Sequence, residues 1–152
     1  MSAAQGYLLD TNIVLHATRE KSPVSLAVDA QFQLRSSPFR PTICEVTVAE
    51  LWAFARSWGE KRKELLRRTI ADLLVILISD PRIHQRWAEL YSHARNNGMA
   101  IQHDHNDVWI AATAHVAGLK LLSTDSAAFI PLRGTAWVNV VVLDPKTGII
   151  VP

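Results

Sequence analysis

The sequence predicts an α/β fold with a mainly parallel central sheet and helices on both of its faces. Short apolar runs alternate along the chain with segments of helical periodicity, which is typical of βαβ units. The chain has 152 residues, of which 49% are hydrophobic and 20% are charged, a globular composition that suffices for one hydrophobic core. We therefore expect residues 1–152 to form a single domain.

Five apolar runs are the predicted strands, at residues 7–9, 40–44, 73–78, 120–123 and 138–143. The run 73–78 (LLVILI) contains no polar residue, as expected for a strand that is covered on both faces of a sheet. Cys44 is the single cysteine of the chain. An intrachain disulfide framework is therefore excluded, and we expect Cys44 to be a buried strand residue.

Six segments are predicted helices, at residues 13–19, 24–34, 46–57, 60–72, 81–96 and 108–117. Pro23 and Pro81 stand at first-turn positions, where the amide hydrogen that proline lacks has no helical partner. Asp80 is placed to cap the helix that Pro81 begins. Gly118 is placed to end the last helix, because glycine readily adopts the left-handed conformation of a C-cap.

The distribution of basic residues is more informative than the formal net charge of +2. Six bases lie in one short stretch together with only two acids, Glu60 and Glu64. Such a stretch can follow a phosphate backbone. The alternative is a solvated helix face on which Glu60, Glu64 and Arg68 pair at i, i+4 spacing. The six bases are Arg56, Lys61, Arg62, Lys63, Arg67 and Arg68.

Four carboxylates, Asp10, Glu50, Asp107 and Asp125, stand where a predicted strand or loop gives way to a helix. Because the carboxyl ends of parallel strands meet at one edge of a sheet, we expect these side chains to share a cleft. Crowded carboxylates repel one another and are costly to desolvate unless a cation joins them. A hard divalent cation is the natural partner for such oxygen ligands. The arrangement indicates a metal-dependent phosphodiesterase.

Each of these acids also has an ordinary structural explanation. Asp10 and Asp125 could cap the helices that follow them. Thr47 and Glu50 have the T-x-x-E spacing of a capping box. Asp107 suits the positive end of its helix dipole. The structural explanations and the shared site are both open at this stage.

Two further acids compete for places in the site. Glu45 directly follows the second predicted strand and competes with Glu50. We prefer Glu50, because an acid within an otherwise apolar helix needs a reason. Asp104 competes with Asp107, and either could reach a cation through water.

The sequence resembles a PIN-domain nuclease, and specifically the small toxins of VapC type. The matching segments are YLLDTNIVLH near the start, TVAELWAFA before the basic stretch, and HNDVWIAATAHVAGLKLLSTD followed by Phe129. They occur in the family's order and span nearly the whole chain. The resemblance implies an α/β/α sandwich and Mg²⁺- or Mn²⁺-dependent cleavage of RNA. It also implies a homodimer that an antitoxin protein holds inactive.

The resemblance implies, position by position, that the metal-binding acids are Asp10, Glu50, Asp107 and Asp125. Asn12 and Thr124 match polar positions near the site, and Asn12 could orient a water or a phosphate oxygen. A cation held there would polarise a phosphodiester and activate a water as the nucleophile. Family members often carry a second acid shortly after the position of Asp125, but Ser-Ala-Ala follows here. We therefore expect one tightly held ion.

Three rival interpretations stay open. His103 and His105 flank an acid near the expected cleft, but two histidines alone do not make a zinc site. A haloacid-dehalogenase-like phosphatase would place a second acid two residues after Asp10, where Asn12 stands. A PIN-like protein that binds RNA or a partner without cleaving would fit the missing acid after Asp125.

We expect the protein to be cytoplasmic and not to associate with a membrane. The beginning of the sequence lacks the basic and apolar regions of a signal peptide. The apolar run 73–78 is too short to span a bilayer.

Overall fold

A five-stranded parallel sheet forms the centre of the computed structural model, which describes residues 6–19, 21–34, 36 and 38–152. The strand order is β3-β2-β1-β4-β5. Each neighbouring pair is parallel, with Leu8 opposite both Thr42 and Leu121. The strands are β1 (Tyr7–Leu9), β2 (Thr42–Cys44), β3 (Leu74–Ile76), β4 (Lys120–Ser123) and β5 (Val140–Val142).

The helices begin and end where the local chemistry of the sequence predicts, within a few residues. Asp80 caps the helix that starts at Pro81, and Pro23 stands in the first turn of its own helix. Gly118 ends the helix before β4 with a φ of 67°, in the left-handed region. The helices are α1 (Thr11–Ala17), α2 (Pro23–Phe32), α3 (Glu45–Ala55), α4 (Glu60–Ala71), α5 (Pro81–Asn96), α6 (His105–Ala117) and α7 (Ser126–Phe129). Two 3₁₀ turns, Ala100–His103 and Ile130–Leu132, complete them.

The sheet separates two hydrophobic cores. Leu8 and Leu121 point to the core that α5, α6 and α7 cover, whereas their neighbours Leu9 and Leu122 point to the core under α1 to α4. This alternation follows from the two-residue period of a strand. The predicted α/β/α sandwich is therefore confirmed. Cys44 is fully buried at the end of β2, as expected.

The expectation that the run 73–78 is covered on both faces is wrong. Its strand β3 lies at the edge of the sheet, with β2 as its neighbour. The exposed fractions are 47% for Leu74, 38% for Val75 and 60% for Leu77. An apolar run looks the same in a central strand and in an edge strand whose apolar side chains face outward. This edge is therefore an exposed apolar surface.

The order in which successive strands are added to the sheet changes direction at β1, so that β1 and β4 flank a topological switch point. From β1 the chain moves outward through β2 to β3, and β4 then joins the other side of β1. In open α/β sheets, ligands bind beyond the carboxyl ends of the strands at this kind of switch point. Asp10 and Asp125 lie just beyond the carboxyl ends of β1 and β4. In the residues that the structure describes, no helix is long and apolar enough to cross a bilayer.

Candidate active site

Asp10 is the buried acid at the switch point. Only 3% of its surface is exposed. Its amide donates to the carbonyl of Leu122 on β4 (2.9 Å), which fixes the backbone of Asp10 to the neighbouring strand. One carboxyl oxygen accepts from the amide of Thr11 (2.8 Å) and the other from the hydroxyl of Ser123 (2.6 Å). Asp10 therefore caps α1, as its structural explanation predicts, and also faces the end of β4.

Glu50 reaches the same place from α3. The Thr11 hydroxyl donates to Glu50 Oε1 (2.7 Å) and lies 3.2 Å from the hydroxyl of Thr47. The capping-box explanation for Thr47 and Glu50 is wrong, because α3 begins at Glu45 and its N-cap is Cys44. Both residues lie within α3 on the side that faces α1. Glu50 is therefore held beside the beginning of α1 by a neutral hydroxyl.

Asp107 lies in the first turn of α6 and is 8% exposed. Asp104 is the N-cap of this helix, where its Oδ1 accepts from the amides of Asn106 (3.0 Å) and Asp107 (3.3 Å). The two competitors thus have different surroundings. Asp104 is exposed and engaged with the backbone, and Asp107 is buried.

Asp125 follows β4 and caps α7, with Oδ1 accepting from the amide of Ala128 (3.0 Å). The hydroxyl of Ser123 accepts a hydrogen bond from the amide of Asp125 (3.0 Å) and donates one to the carboxyl of Asp10. Ser123 therefore links the acids at the ends of β1 and β4. Thr124, the polar residue that the resemblance indicates, is also buried. Sequence reasoning missed Ser123 and Thr11, although their positions next to Asp10 and Thr124 were available as a signal.

Burial and mutual repulsion raise the pKa values of two carboxyls in the site. Burial is the largest cause for Asp10, and Glu50 and Asp125 add to it, so that its pKa rises to about 6 although hydrogen bonds from Ser123 and Thr11 oppose the rise. The pKa of Asp107 rises to about 8, first through burial and then through the charges of Asp10, Asp104, Asp125 and Glu50. The four acids predicted from the sequence therefore act on one another electrostatically.

The donor set fits a hard divalent cation. Carboxylates whose protonated forms are favoured by burial, and then by repulsion, are the groups that a cation would stabilise in the charged form. Among the described residues, no group of three or more His, Cys, Asp or Glu side chains is arranged to hold a metal ion. Mg²⁺ needs only one or two direct carboxylate ligands and keeps several waters, so the absence of a three-ligand set does not conflict with this chemistry.

The remaining candidates lie at the rim or outside the site. Asn12 is exposed in the first turn of α1, one residue after Thr11. Glu45 accepts from the amide of Ile78 (2.8 Å) and so stabilises the segment after β3. His103 and His105 are exposed, and the ring of His105 packs edge-on against that of Trp87 at a centroid distance of 5.6 Å.

The basic stretch divides into paired and unpaired bases. Lys63 pairs with Glu60 (3.8 Å), and Glu64 pairs with both Arg67 (3.1 Å) and Arg68 (3.4 Å). The i, i+4 pair of Glu64 and Arg68 that the solvated-face explanation predicts is therefore present. In the described residues, Arg56, Lys61 and Arg62 form no ion pair with a carboxylate.

Comparisons with known proteins agree with this architecture. A family model described as PIN domain matches residues 7–130. Comparison with curated proteins found no match. Among solved structures, VapBC2 from Rickettsia felis bound to a promoter DNA fragment is similar with a TM-score of 0.73 and 21% identity, over 91% of this chain and 98% of that chain.

Two more solved structures extend the comparison. VapBC-5 from Mycobacterium tuberculosis is similar with a TM-score of 0.65 and 25% identity, over 93% of this chain and 100% of that chain. The DNA-bound VapBC from Salmonella typhimurium has a TM-score of 0.72 and 20% identity, over 90% and 96%. At these identities the structural likenesses support the fold.

The raised pKa values predict that the metal-free protein becomes less stable as the pH rises from about 4 to about 8. At Asp10 and Asp107 the folded protein binds more protons than the unfolded chain in this range, because both pKa values lie above the ordinary 3.8. Burial lowers the pKa values of His16 and His115 and gives a smaller effect of the opposite sign below about pH 6.5. Replacing Asp107 with Asn should flatten this dependence and raise the free energy of unfolding at pH 8 by at least ~1.4 kcal/mol, the equivalent of one pKa unit. Urea unfolding in EDTA at pH 5 and pH 8 measures both effects.

Asp80→Asn is the matched control, since Asp80 also caps a helix but hydrogen bonds from Arg82 lower its pKa. It should leave the decline between pH 5 and pH 8 unchanged. A wild-type protein that is equally stable at both pH values would contradict the assignment of these buried carboxyls.

Proposed function

The chain belongs to the PIN domain family, and on this premise we propose that it is the toxin of a toxin–antitoxin pair, an endoribonuclease that requires Mg²⁺ or Mn²⁺. The observation that carries the proposal is the pair of buried carboxyls, Asp10 and Asp107, whose pKa values are raised at the switch point of the sheet. We further propose that residues 1–152 act as one nuclease domain in the cytoplasm.

The proposed roles follow from the surroundings of each acid. Asp10 and Asp107 would hold the cation, and Glu50 and Asp125 would hold it directly or through water. When bound, the cation supplies positive charge to the scissile phosphodiester and makes a water more acidic. The hydroxyls of Ser123 and Thr11 orient Asp10 and Glu50 without adding charge. Asp107, with a pKa of about 8, carries a proton at neutral pH that it must release when a cation binds.

We predict that the wild-type protein cleaves single-stranded RNA in Mg²⁺ or Mn²⁺ and not in EDTA. Asp10→Asn and Asp107→Asn should each lower the rate by more than about 100-fold, the upper end of what the loss of a ligand's supporting partner costs. Asp80→Asn should cleave at the wild-type rate, because Asn also caps a helix and Asp80 lies outside the site. Single-turnover cleavage of a labelled RNA measures the three variants.

A second candidate function is binding of RNA or a partner protein without cleavage. The Ser-Ala-Ala sequence after Asp125, where family members often carry a second acid, favours it. Cleavage that survives in both Asn variants would refute the assigned site. RNA binding without cleavage, with either cation present, would leave the second candidate.

An apolar cleft supports the proposal of an antitoxin partner. The cleft has a volume of about 690 Å³ and lies between α1, α2 and α4. Its apolar lining includes Leu65, which is 42% exposed, and charged residues of both signs stand around it. VapBC-5, one of the solved structures that this chain resembles, is named as a member of a family of toxin–antitoxin systems. We propose that an amphipathic segment of the antitoxin docks here. The apolar lining is Leu9, Ile13, Val14, Ala17, Val28, Leu34, Leu65 and Leu73.

Leu65→Glu should weaken inhibition by the antitoxin by at least about tenfold, because a charge in an apolar contact must be desolvated. The test measures cleavage against increasing amounts of the proposed antitoxin, which would be sought in the reading frame next to this gene. Leu26→Glu is the matched control, because Leu26 is 64% exposed on α2 but does not line the cleft. Equal inhibition of both variants would contradict this docking site.

The exposed edge of the sheet supports the proposal of a homodimer. Leu74, Val75 and Leu77 form an outward apolar surface on and beside β3, where unpaired backbone groups are also available. A second copy of the chain would cover this surface through the same residues, as a two-fold interface requires.

We predict that Leu77→Lys shifts the protein from dimer to monomer in light scattering, because lysine on an edge opposes association. Leu26→Lys, at an equally exposed leucine of α2, should remain dimeric. A wild-type protein that is monomeric at all concentrations would contradict the proposal.

A further inference from the structure

A basic cleft lies beside the apolar one. It has a volume of about 910 Å³ and is formed where the end of α1 meets the beginning of α4. Among its described lining residues, four are basic and Glu64 is the one acid. Glu64 already pairs with Arg67 and Arg68. The cleft therefore carries an excess of positive charge. Its bases are Arg19, Lys61, Arg62 and Arg68.

Arg62 is held in this cleft without an ion pair to a carboxylate of the described residues. Its guanidinium lies 3.5 Å from the ring centroid of Trp58, and its Nη2 donates to the hydroxyl of Thr18 (3.3 Å). Its Nε is enclosed and has no hydrogen-bond partner in the described structure. Stacking on an aromatic ring fixes the plane of a guanidinium while leaving its charge available.

Arg19 adds a second positive charge. Burial, and then the charge of Arg19, lower the pKa of Arg62 below its usual value. In the described residues, neither guanidinium forms an ion pair with a carboxylate. Two like charges that face one cleft are stabilised by an anion between them. A phosphate suits this place, because guanidinium groups bind phosphate oxygens with paired hydrogen bonds.

The two ends of α1 relate this cleft to the acidic site. Thr11, at the start of the helix, binds Glu50, and Thr18, just after its end, binds Arg62. Seven residues of helix span about 10 Å. This distance is short enough for a strand whose scissile phosphate lies at the acids to reach the cleft within a few nucleotides.

We propose that Arg19 and Arg62, with Trp58 as the floor, bind a backbone phosphate of the RNA strand away from the cleaved bond. The proposal rests on the proposed function. Of the six bases in the basic stretch, it assigns this phosphate contact to Arg62. The proposal does not include Arg67 in the subsite. Arg67 lies over Trp52 (5.6 Å to the centroid), forms an ion pair with Glu64 and does not line the basic cleft.

The test measures binding of a labelled single-stranded oligoribonucleotide by the full chain in EDTA, over a range of salt concentrations. Arg19→Gln and Arg62→Gln should each weaken binding about tenfold and reduce the slope of log K against log salt by about 0.7, the value for one phosphate on a single strand. Arg62→Lys should keep the slope but lose part of the affinity. Arg67→Gln is the matched control and should stay within about twofold of the wild type.

Fold and function are checked separately. Thermal unfolding reports whether the Arg62→Gln variant folds. If this variant does not fold, Arg19→Gln still tests the subsite, because Arg19 is exposed. One outcome would overturn the subsite and leave the nuclease. In it the wild type cleaves RNA in Mg²⁺, but the Arg19 and Arg62 variants bind RNA as tightly as Arg67→Gln does. Binding that depends on Arg19 and Arg62 without any cleavage would overturn the nuclease and leave the subsite.

Two further outcomes would also overturn the subsite. One is a wild-type protein that binds no RNA. The other is binding of a poly-glutamate peptide that depends on Arg62 while RNA binding does not, which would identify an acidic protein segment as the occupant.

Discussion

The burial and mutual repulsion of carboxyls at one edge of the sheet are the constraint on which the proposed site depends. Asp10 and Asp107 are 3% and 8% exposed, and Glu50, Asp104 and Asp125 all raise the pKa of Asp107. A protein gains no stability from arranging acids in this way. The cation that we propose for this site would offset the cost of charging these acids. The sheet edge and the helix ends around these acids are best understood as the frame that keeps them together against their repulsion.

Some of the acids that we propose for the site also cap helices. Asp10, Asp104 and Asp125 each accept hydrogen bonds from the first turn of a helix. The positive end of a helix also makes a nearby negative charge less costly. The structural explanation and the shared site, which the sequence leaves as alternatives, are therefore compatible for Asp10 and Asp125. For Glu50 they are not, since it lies within α3 and is held by Thr11 from another helix.

The elements of the fold were predictable because their determinants are local, as with Asp80 and Pro81 before α5 or Gly118 after α6. Asp10 and Asp125 were predictable because acids directly after apolar strands reach the edge of a sheet. The role of Ser123 was not predictable, because its partners Asp10 and Asp125 are far apart in the sequence. The exposure of β3 and the division of the basic stretch depend on packing between distant segments, which the pattern of residue types along a chain does not contain. The family resemblance indicated the four acids, but not the hydroxyls of Thr11 and Ser123 that donate to Glu50 and Asp10.

The bond between Ser123 and Asp10 joins residues 113 positions apart. On the ribosome β1 is made early, yet Asp10 has neither the carbonyl of Leu122 nor the hydroxyl of Ser123 until β4 has emerged. Contacts between such distant segments form late in folding. In the nuclease that we propose, a nascent chain would therefore lack these contacts, and with them the assembled site, until most of it has been synthesised.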